Sequence, residues 1–346
     1  MGDSGQMRRD IRSLSQDEVA DVLAKLGEPR FRAKQLDEWV WRRNVVSFDE
    51  MTNISKGLRS KLAESFFVGV LGESARQESV DGSRKYLLRL GDGVEVECVG
   101  MPSGRKLAVC VSSQAGCAMG CAFCATGAAG LTRSLSAEEI YAQASYVAHD
   151  FDMRATSVVL MGQGEPFANY DNVLKAMRLL NSPDAMGIGA RHITVSTSGI
   201  IPMIARFANE PEQFTLAVSL HSAVQKTRNE LMPGVKRWSL LHLYEMMGTY
   251  ADKTGRRPTY EYALISGIND NENELASLVD FCRDTLCHVN LIQLNEVPGS
   301  PFQPSSPARA QDFLRRLHNA GVEATIRESR GADIDAACGQ LRQRRR

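Results

Sequence analysis

The sequence predicts an α/β fold, in which a partial, TIM-like (β/α)6 barrel follows a small N-terminal helical domain and a β-hairpin linker. Two observations predict it. From residue 107 onward, short strand-like segments alternate six times with helical segments, which is typical of a parallel sheet with crossover helices. The first 70 residues show helical periodicity. Six units are too few for a closed eightfold barrel, so a partial barrel is favoured over a flat doubly wound sheet, which stays open as the alternative.

These patterns divide the chain into three parts: a helical domain at 1–70, a hairpin linker at 71–105, and a barrel with a C-terminal tail at 106–346. In the helical domain, Ser15 and Glu18 form a capping box at the first of three helices. These helices are predicted at about 15–26, 31–43 and 55–66. Barrel strands are predicted at 107–111, 157–161, 192–196, 215–220, 259–264 and 289–294, with a seventh at 323–327 before the tail.

Apolar and polar residues alternate in the linker, as is typical of a β-strand. Residues 86–90 and 94–99 flank a Gly-Asp-Gly turn, which predicts a β-hairpin. Alternation places Val96 and Cys98 on the apolar face and Glu97 on the other face. From the pattern alone, Glu97 is expected to be an exposed strand glutamate.

Composition limits the classes of function. Forty-one basic residues balance forty-one acidic ones, so nucleic-acid binding would depend on local clusters such as the arginines at the two ends of the chain. Taken alone, those clusters are better explained as solvated termini. No apolar run approaches the ~20 residues of a membrane span, and the first residues lack a signal-peptide pattern. We therefore expect a cytoplasmic protein whose eight cysteines are reduced.

Three of those cysteines have the spacing C-x3-C-x2-C: Cys117, Cys121 and Cys124. Thiolates clustered in a loop after a strand predict a metal centre. Structural zinc and ordinary [4Fe–4S] sites both need a fourth ligand, and His149 is a candidate without a companion. We predict a [4Fe–4S] cluster with one open iron, and zinc remains the alternative.

Polar residues follow the predicted strands where each strand ends. Because these ends meet at one mouth of a parallel barrel, their side chains are expected to converge on a bound cofactor. The candidate cofactor-binding residues are Gly164, Glu165, Ser196, Ser219, Leu220, His221 and Asn295.

Together these motifs resemble the RlmN/Cfr family of radical S-adenosylmethionine (SAM) RNA methyltransferases. The resemblance covers nearly the whole chain. It rests on residues 110–117, the three-cysteine loop, 164–166, 196–199, 219–221, 290–292 with Asn295, and 330–341, and on 31–35 and 48–52 in the helical domain. It implies a radical SAM core, in which the open iron of the [4Fe–4S] cluster binds SAM and two SAM molecules are used per turnover.

The resemblance also implies three catalytic roles. Cys338 matches the cysteine that accepts a methyl group from one SAM molecule. A radical from the second SAM removes a hydrogen atom from this methyl group, and the resulting carbon radical adds to adenine. Cys110 matches the resolving cysteine, which releases the product by forming a transient disulfide with Cys338. Glu97 matches the carboxylate that accepts the ring proton.

The implied substrates are adenine 2503 of 23S rRNA and adenine 37 of tRNA, methylated at C2. The helical domain and Pro166 favour this type, and the C8-specific Cfr type remains the alternative. Gln163 departs from the methionine expected between the two glycines. An external electron donor of the flavodoxin or ferredoxin type, a monomeric state and the absence of a membrane partner complete these expectations.

Overall fold

The computed structural model describes residues 8–70, 72–128, 130–295 and 299–341. The strands are β1 (Arg9–Asp10), β2 (Phe66–Phe67), β3 (Gly72–Glu78), β4 (Arg84–Arg89), β5 (Glu95–Ser103), β6 (Lys106–Cys110), β7 (Gln114–Gly116), β8 (Leu131–Ser134), β9 (Ala155–Leu160), β10 (Ile193–Thr197), β11 (Thr215–Ser219), β12 (Thr259–Leu264), β13 (His288–Gln293) and β14 (Ala324–Arg327). The helices are α1 (Gln16–Lys25), α2 (Phe31–Asp37), α3 (Lys56–Ser65), α4 (Ala125–Ala128), α5 (Ala137–Asp150), α6 (Tyr170–Asn181), α7 (Ile201–Phe207), α8 (Gln225–Leu231), α9 (Leu240–Thr254), α10 (Glu272–Cys282) and α11 (Pro307–Asn319).

One ten-stranded sheet organises the fold, in the order β14-β13-β12-β11-β10-β9-β6-β5-β4-β3. Strands β6 and β9 to β14 pair in parallel. At least one helix connects each of these strands to the next. The predicted six strand–helix units and the seventh strand are confirmed, and so is the partial barrel, because the sheet has free edges at β14 and β3. None of the described helices is long and apolar enough to cross a membrane.

The linker contains more strand than the sequence pattern predicts. The expected hairpin is present as β4 and β5, but β3 precedes it and pairs antiparallel with β4. Its exposed, charged sequence lacks the apolar alternation that marks a strand. Because β5 pairs with β6, this three-stranded extension is continuous with the barrel sheet.

The three-cysteine loop lies between β7 and β8, which form a small antiparallel sheet of their own. Gly116 ends β7 with φ +78°, and a Cβ there would lie 2.0 Å from the carbonyl oxygen of Gly130. Only glycine allows this close approach, which brings the two ends of the loop together.

The N-terminal helices have an apolar core of their own, around residues such as Leu23, Leu36 and Leu62. The second predicted helix is α2 continued by a π-helical turn at Glu38–Arg42. Strands β1 and β2 are two residues each, too short for a pattern to predict.

Buried Arg12 joins this helical unit to the barrel. Its guanidinium donates to the carbonyl oxygens of Val40 and Val45 and to Ser145 Oγ on α5, at 3.3, 3.0 and 3.0 Å. It also lies against the ring of Tyr141 at 5.3 Å. The Arg12 guanidinium therefore donates to acceptors in the helical unit and to an acceptor on the barrel.

We expect Arg12→Ala to lower the free energy of unfolding by about 3 kcal/mol, because it leaves buried acceptors without a donor. The control is Arg30→Ala, since the ion pair of Arg30 with Asp17 is largely exposed and should contribute little. Urea unfolding of both variants tests this. Equal stability of the two variants would contradict the role of Arg12.

Candidate active site

A cavity of about 950 Å³ opens at the carboxyl ends of the parallel strands. It is where ligands bind in folds of this architecture. Of the residues singled out from the sequence, it is lined by Cys117, Cys121, Cys124, Gly164, Glu165, Ser196, Ser219, His221, Asn295 and Cys338. Leu220 is the exception among the candidate cofactor-binding residues. Its side chain is fully buried in the apolar core, and its main-chain N–H donates to the carbonyl oxygen of Glu261.

Main-chain bonds hold the three-cysteine loop against the segment that follows β11. Ala122 N–H donates to the carbonyl oxygen of Leu231, and Gly234 N–H donates to that of Met119. Burial raises the pKa of the Cys117 thiol to about 11. A cluster that binds the thiolates would offset this cost. Within the described residues, no three His, Cys, Asp or Glu side chains converge on a point where they could share one metal ion. A [4Fe–4S] cluster does not require such convergence, because each thiolate binds a different iron.

Glu165 is a buried carboxylate in the loop that follows β9. One oxygen accepts from Phe167 N–H at 2.9 Å and the other from Ser198 N–H at 2.7 Å. Burial raises its pKa. No ion pair is recorded for it among the described residues. A buried carboxylate that lacks a cation and faces a cavity fits the ammonium group of SAM.

Gly164 makes this arrangement possible. It has φ +102°, and a Cβ would lie 2.6 Å from the side chain of Gln114. Gln114 Oε1 in turn accepts from Glu165 N–H at 2.9 Å. The glycine therefore lets the loop after β9 pack closely against the chain after β6.

His221 faces the cavity as a neutral ring. Its burial, and then the nearby Arg228 guanidinium, lower its pKa to about 3. Nδ1 accepts from Ala263 N–H at 3.0 Å, so in the neutral ring Nε2 carries the hydrogen. Asn269 donates to the carbonyl oxygen of His221 at 2.6 Å and supports its left-handed backbone, with φ +54°.

The C-terminal tail brings Cys338 to the barrel mouth. Asn295 Nδ2 donates to the carbonyl oxygen of Cys338 at 3.3 Å, and Cys338 is exposed and lines the cavity of the three cysteines. Cys338 also lines a second, adjacent cavity, which contains Cys110. Burial raises the pKa of Cys110 to about 12. Both cysteines and the three-cysteine loop are thus gathered around one mouth.

Arg327 lies between the two cavities and lines both. Its Nη1 is 3.9 Å from Glu261 Oε2. Burial alone would lower its pKa, but the neighbouring Cys338 and Glu261 raise it. A permanent cation beside two thiols favours their thiolate forms.

Glu97 is buried, so the prediction of an exposed strand glutamate is wrong. The residue is 1% exposed and lines neither cavity. Lys85 Nζ lies 3.5 Å from Oε1, and Gln163 Nε2 donates to Oε2 at 3.4 Å. Lys85 and Gln163 supply the contacts that the strand pattern could not anticipate.

Sequence reasoning missed Arg327, Lys85 and Asn269. In the sequence, the first two look like solvated charges and the third like a turn residue, and no spacing distinguished them. Cys98, which strand alternation places on the apolar face, is buried, and so are Cys282 and Cys287.

Comparisons with known proteins agree with this architecture. Residues 9–68 match the family model described as the ribosomal RNA large subunit methyltransferase N-terminal domain, and residues 111–279 match the radical SAM superfamily. The chain is 43% identical to a radical SAM methyltransferase of known structure from Sphaerobacter thermophilus, with a TM-score of 0.90 over 96% of this chain and 99% of that one.

Curated relatives match at similar identity. A probable dual-specificity RNA methyltransferase RlmN from Symbiobacterium thermophilum is 45% identical over 97% of this chain and 92% of its own. A protein of the same name from Staphylococcus aureus is 44% identical over 98% of this chain and 94% of its own. The fold and the matches define a radical SAM enzyme, and the superfamily implies a [4Fe–4S] cluster and SAM. More narrowly, the chain belongs to the RlmN family of radical SAM RNA methyltransferases.

We expect Gly164→Ala to abolish SAM binding, because the added Cβ collides with Gln114 at a backbone angle that L-residues avoid. Gly248→Ala on α9 is the control, since its Cβ meets nothing within 4 Å. That change should stabilise the helix by up to about 1 kcal/mol. Anaerobic calorimetry with SAM, beside urea unfolding, measures both. SAM binding retained by the Gly164 variant would contradict this assignment of the loop.

Proposed function

We propose that this protein methylates C2 of adenine, at adenine 2503 of 23S rRNA and adenine 37 of tRNA, through a methylated Cys338. The observation that carries the proposal is the position of Cys338, which borders both the cavity of the three cysteines and the cavity of Cys110. A methyl-carrying residue has to reach both places. The dual-specificity names of the relatives support the substrates.

Cys117, Cys121 and Cys124 would hold the cluster, and Glu165, with the polar strand ends, would hold SAM. When bound, the cluster and SAM supply the methyl group and the one-electron chemistry that activates it. Each cysteine of the loop contributes a thiolate ligand. The main-chain donors of Phe167 and Ser198 fix the Glu165 carboxylate, so it is already oriented for an ammonium group.

Cys338 acts first as a nucleophile, since its sulfur forms a bond to the methyl carbon. Burial raises the pKa of the Cys338 thiol, and the neighbouring Arg327 guanidinium opposes this rise, which favours the thiolate that this step requires. Once the carbon is bonded to the adenine ring, Glu97 takes the ring proton, and the electron pair of the C–H bond stays with the ring. Cys110 then attacks the sulfur of Cys338. An S–S bond forms as the S–C bond breaks, and the electron pair of the S–C bond stays with the methylene carbon on the ring. A proton completes the methyl group, the one electron left over from the radical addition would return to the bound cluster, and the methylated base is released.

We also propose that residues 1–70 contact the RNA, through exposed cations such as Arg9, Lys34 and Arg42. A flavodoxin- or ferredoxin-type protein would supply the electron. The protein would act as a cytoplasmic monomer.

The function is tested with anaerobically reconstituted protein, SAM labelled in its methyl group and unmodified rRNA and tRNA. We expect label in 2-methyladenine, identified by mass spectrometry of digested nucleosides. Label in 8-methyladenine would assign the Cfr-type reaction instead. Cleavage of SAM without labelling of RNA would overturn the assignment of RNA as the substrate.

Alanine variants of Cys338 and Cys110 should lose activity at different steps. Cys338→Ala should carry no methyl group and give no methylated RNA. Cys110→Ala should become methylated and then remain covalently attached to RNA, because nothing cleaves the S–C bond. Gel shift under denaturing conditions and peptide mass spectrometry distinguish them. The control is Cys287→Ala, because Cys287 is a buried thiol that lines neither cavity. This variant should release product.

A further inference from the structure

A carboxylate and a guanidinium lie side by side at the mouth of the barrel. Glu261 on β12 is 4% exposed and lines the cavity of the three cysteines, whereas Arg327 at the end of β14 lines both cavities. Arg327 Nη1 is 3.9 Å from Glu261 Oε2, which is too far for a hydrogen bond. Among the described residues, none donates a hydrogen bond to this oxygen. Because a buried acceptor without a donor is costly, a ligand that donates to Oε2 would be stabilised.

A row of hydrogen bonds across three strands holds the other oxygen of this carboxylate. Strand pairing aligns Glu261 on β12 with Asn290 on β13 and Thr325 on β14. Thr325 Oγ1 donates to Asn290 Oδ1 at 2.9 Å, and Asn290 Nδ2 donates to Glu261 Oε1 at 3.0 Å. Burial raises the pKa of Glu261, and Arg327 and the hydrogen bond from Asn290 oppose this rise. The carboxylate is therefore held through Oε1, and Oε2 is left for a ligand.

Arg327 also retains donors for a ligand. Its Nη1 contacts Met161 Sδ at 3.6 Å and faces Glu261. The described part of the chain supplies no hydrogen-bond acceptor to its Nε or Nη2, and its side chain is 33% exposed. A guanidinium has five N–H groups in one plane. Arg327 can therefore stay beside Glu261 and donate to a further acceptor at the same time.

Both groups lie near the cysteine that would carry the methyl group. Burial raises the pKa of the Cys338 thiol, the Arg327 guanidinium opposes this rise, and the Glu261 carboxylate adds to it. Such effects require that the charges lie near the sulfur. A base bound against Cys338 would therefore face one hydrogen-bond acceptor, Glu261 Oε2, and one donor, the Arg327 guanidinium.

Adenine has the complementary pattern on its Watson–Crick edge. Its N6 amino group is a donor and its N1 is an acceptor, and both are attached to the same ring carbon. C2 is bonded to N1, whereas C8 lies on the other ring. Guanine has the opposite pattern, with an acceptor at O6 and a donor at N1. An acceptor beside a donor in the protein therefore suits adenine and would leave guanine with two unpaired groups.

We propose that Glu261 and Arg327 recognise the target adenine, with Glu261 Oε2 accepting from N6 and Arg327 donating to N1. The inference rests on the proposed function, in which this adenine is methylated at C2 through Cys338. Contacts at N6 and N1 orient the base so that C2, next to N1, is the ring carbon presented to Cys338. Arg327 also favours the addition step, because a cation at N1 stabilises the electron density that N1 gains when the carbon radical adds to C2. No proton moves, and Arg327 keeps its charge.

The first test uses variants that keep the surroundings of Glu261 and Cys338. Glu261→Gln retains an acceptor for Asn290 but turns an NH2 group toward the base. Arg327→Lys keeps the positive charge beside the thiols, but its single ammonium cannot replace separate N–H groups for Glu261 and the base. Each protein is isolated with Cys338 methylated, and peptide mass spectrometry gives the methylated fraction. A single turnover then reports formation of the RNA–protein adduct without the loading step.

We expect adduct formation per methylated protein to fall about tenfold in each variant, the size expected for one hydrogen bond to a charged group. Binding and cleavage of SAM should stay within about twofold of wild type, because the proposed contacts are made to the RNA. The matched controls are Glu245→Gln on α9 and Arg105→Lys in the turn before β6, which are exposed and line neither cavity. Both controls should form the adduct at the wild-type rate.

The second test removes the partner atoms from the RNA. A target 1-deazaadenine lacks the acceptor for Arg327, and a target purine lacks the amino group for Glu261. These bases also differ in reactivity, so the ratio of wild-type to variant rate is compared. For Arg327→Lys, the ratio should be about ten with adenine and 7-deazaadenine and about one with 1-deazaadenine, since a contact already absent cannot be lost again. For Glu261→Gln, the ratio should fall to about one with purine.

Three results would overturn the inference. One is a wild-type rate of adduct formation in both variants. Another is a ratio that does not change when the partner atom is removed, which would indicate a structural role. The third is weakened SAM binding with normal adduct formation at saturating SAM, which would assign the pair to the adenine of SAM. If Arg327→Lys folds poorly, Glu261→Gln with purine decides. The proposed function fails separately, if wild-type protein does not methylate C2 of an unmodified target adenine.

Discussion

The docking of the C-terminal tail across the carboxyl ends of the strands is the interaction on which the site depends. Asp333 accepts from the Ser79 hydroxyl on the extension at 2.6 Å, and the carbonyl oxygen of Leu341 accepts from Thr126 beside the three-cysteine loop at 2.7 Å. Between these two attachments, the tail carries Cys338 to the barrel mouth. These two contacts fix Cys338 beside the three-cysteine loop, although the two segments are more than 200 residues apart in the sequence.

This docking explains why the extension of the sheet matters to the chemistry. Strands β4 and β5 provide Lys85 and Glu97, and the turn between β3 and β4 provides the contact to Asp333. Because β5 pairs directly with β6, Glu97 lies near the end of the first barrel strand rather than on a separate module. Cys110, on β6 opposite Val99, belongs to the same sheet. The extension therefore supplies both a support for the tail and a carboxylate beneath it.

Much of the fold and part of the site could be predicted from the sequence. Strand–helix periodicity located the barrel, and the convergence of parallel strand ends brought Glu165, Ser196 and His221 to one cavity. The interior position of Glu97 could not be predicted, because its burial depends on Gln163, 66 residues away, and on Lys85, which looks solvated in the sequence. Periodicity describes which face of a strand a residue occupies, but it does not say what covers that face.

The balance of charge at the mouth has a consequence for how RNA can bind. The chain as a whole has no net charge, and two cations at or near the mouth are already engaged: Arg327 with Glu261, and buried Lys85 with Glu97. Neither is available to neutralise a phosphate without leaving a carboxylate unpaired, which costs more than an exposed contact gains. Exposed cations, such as those of the N-terminal helical domain, can contact phosphates without leaving a buried carboxylate unpaired. The engaged pairs can therefore keep their arrangement while RNA binds through its backbone.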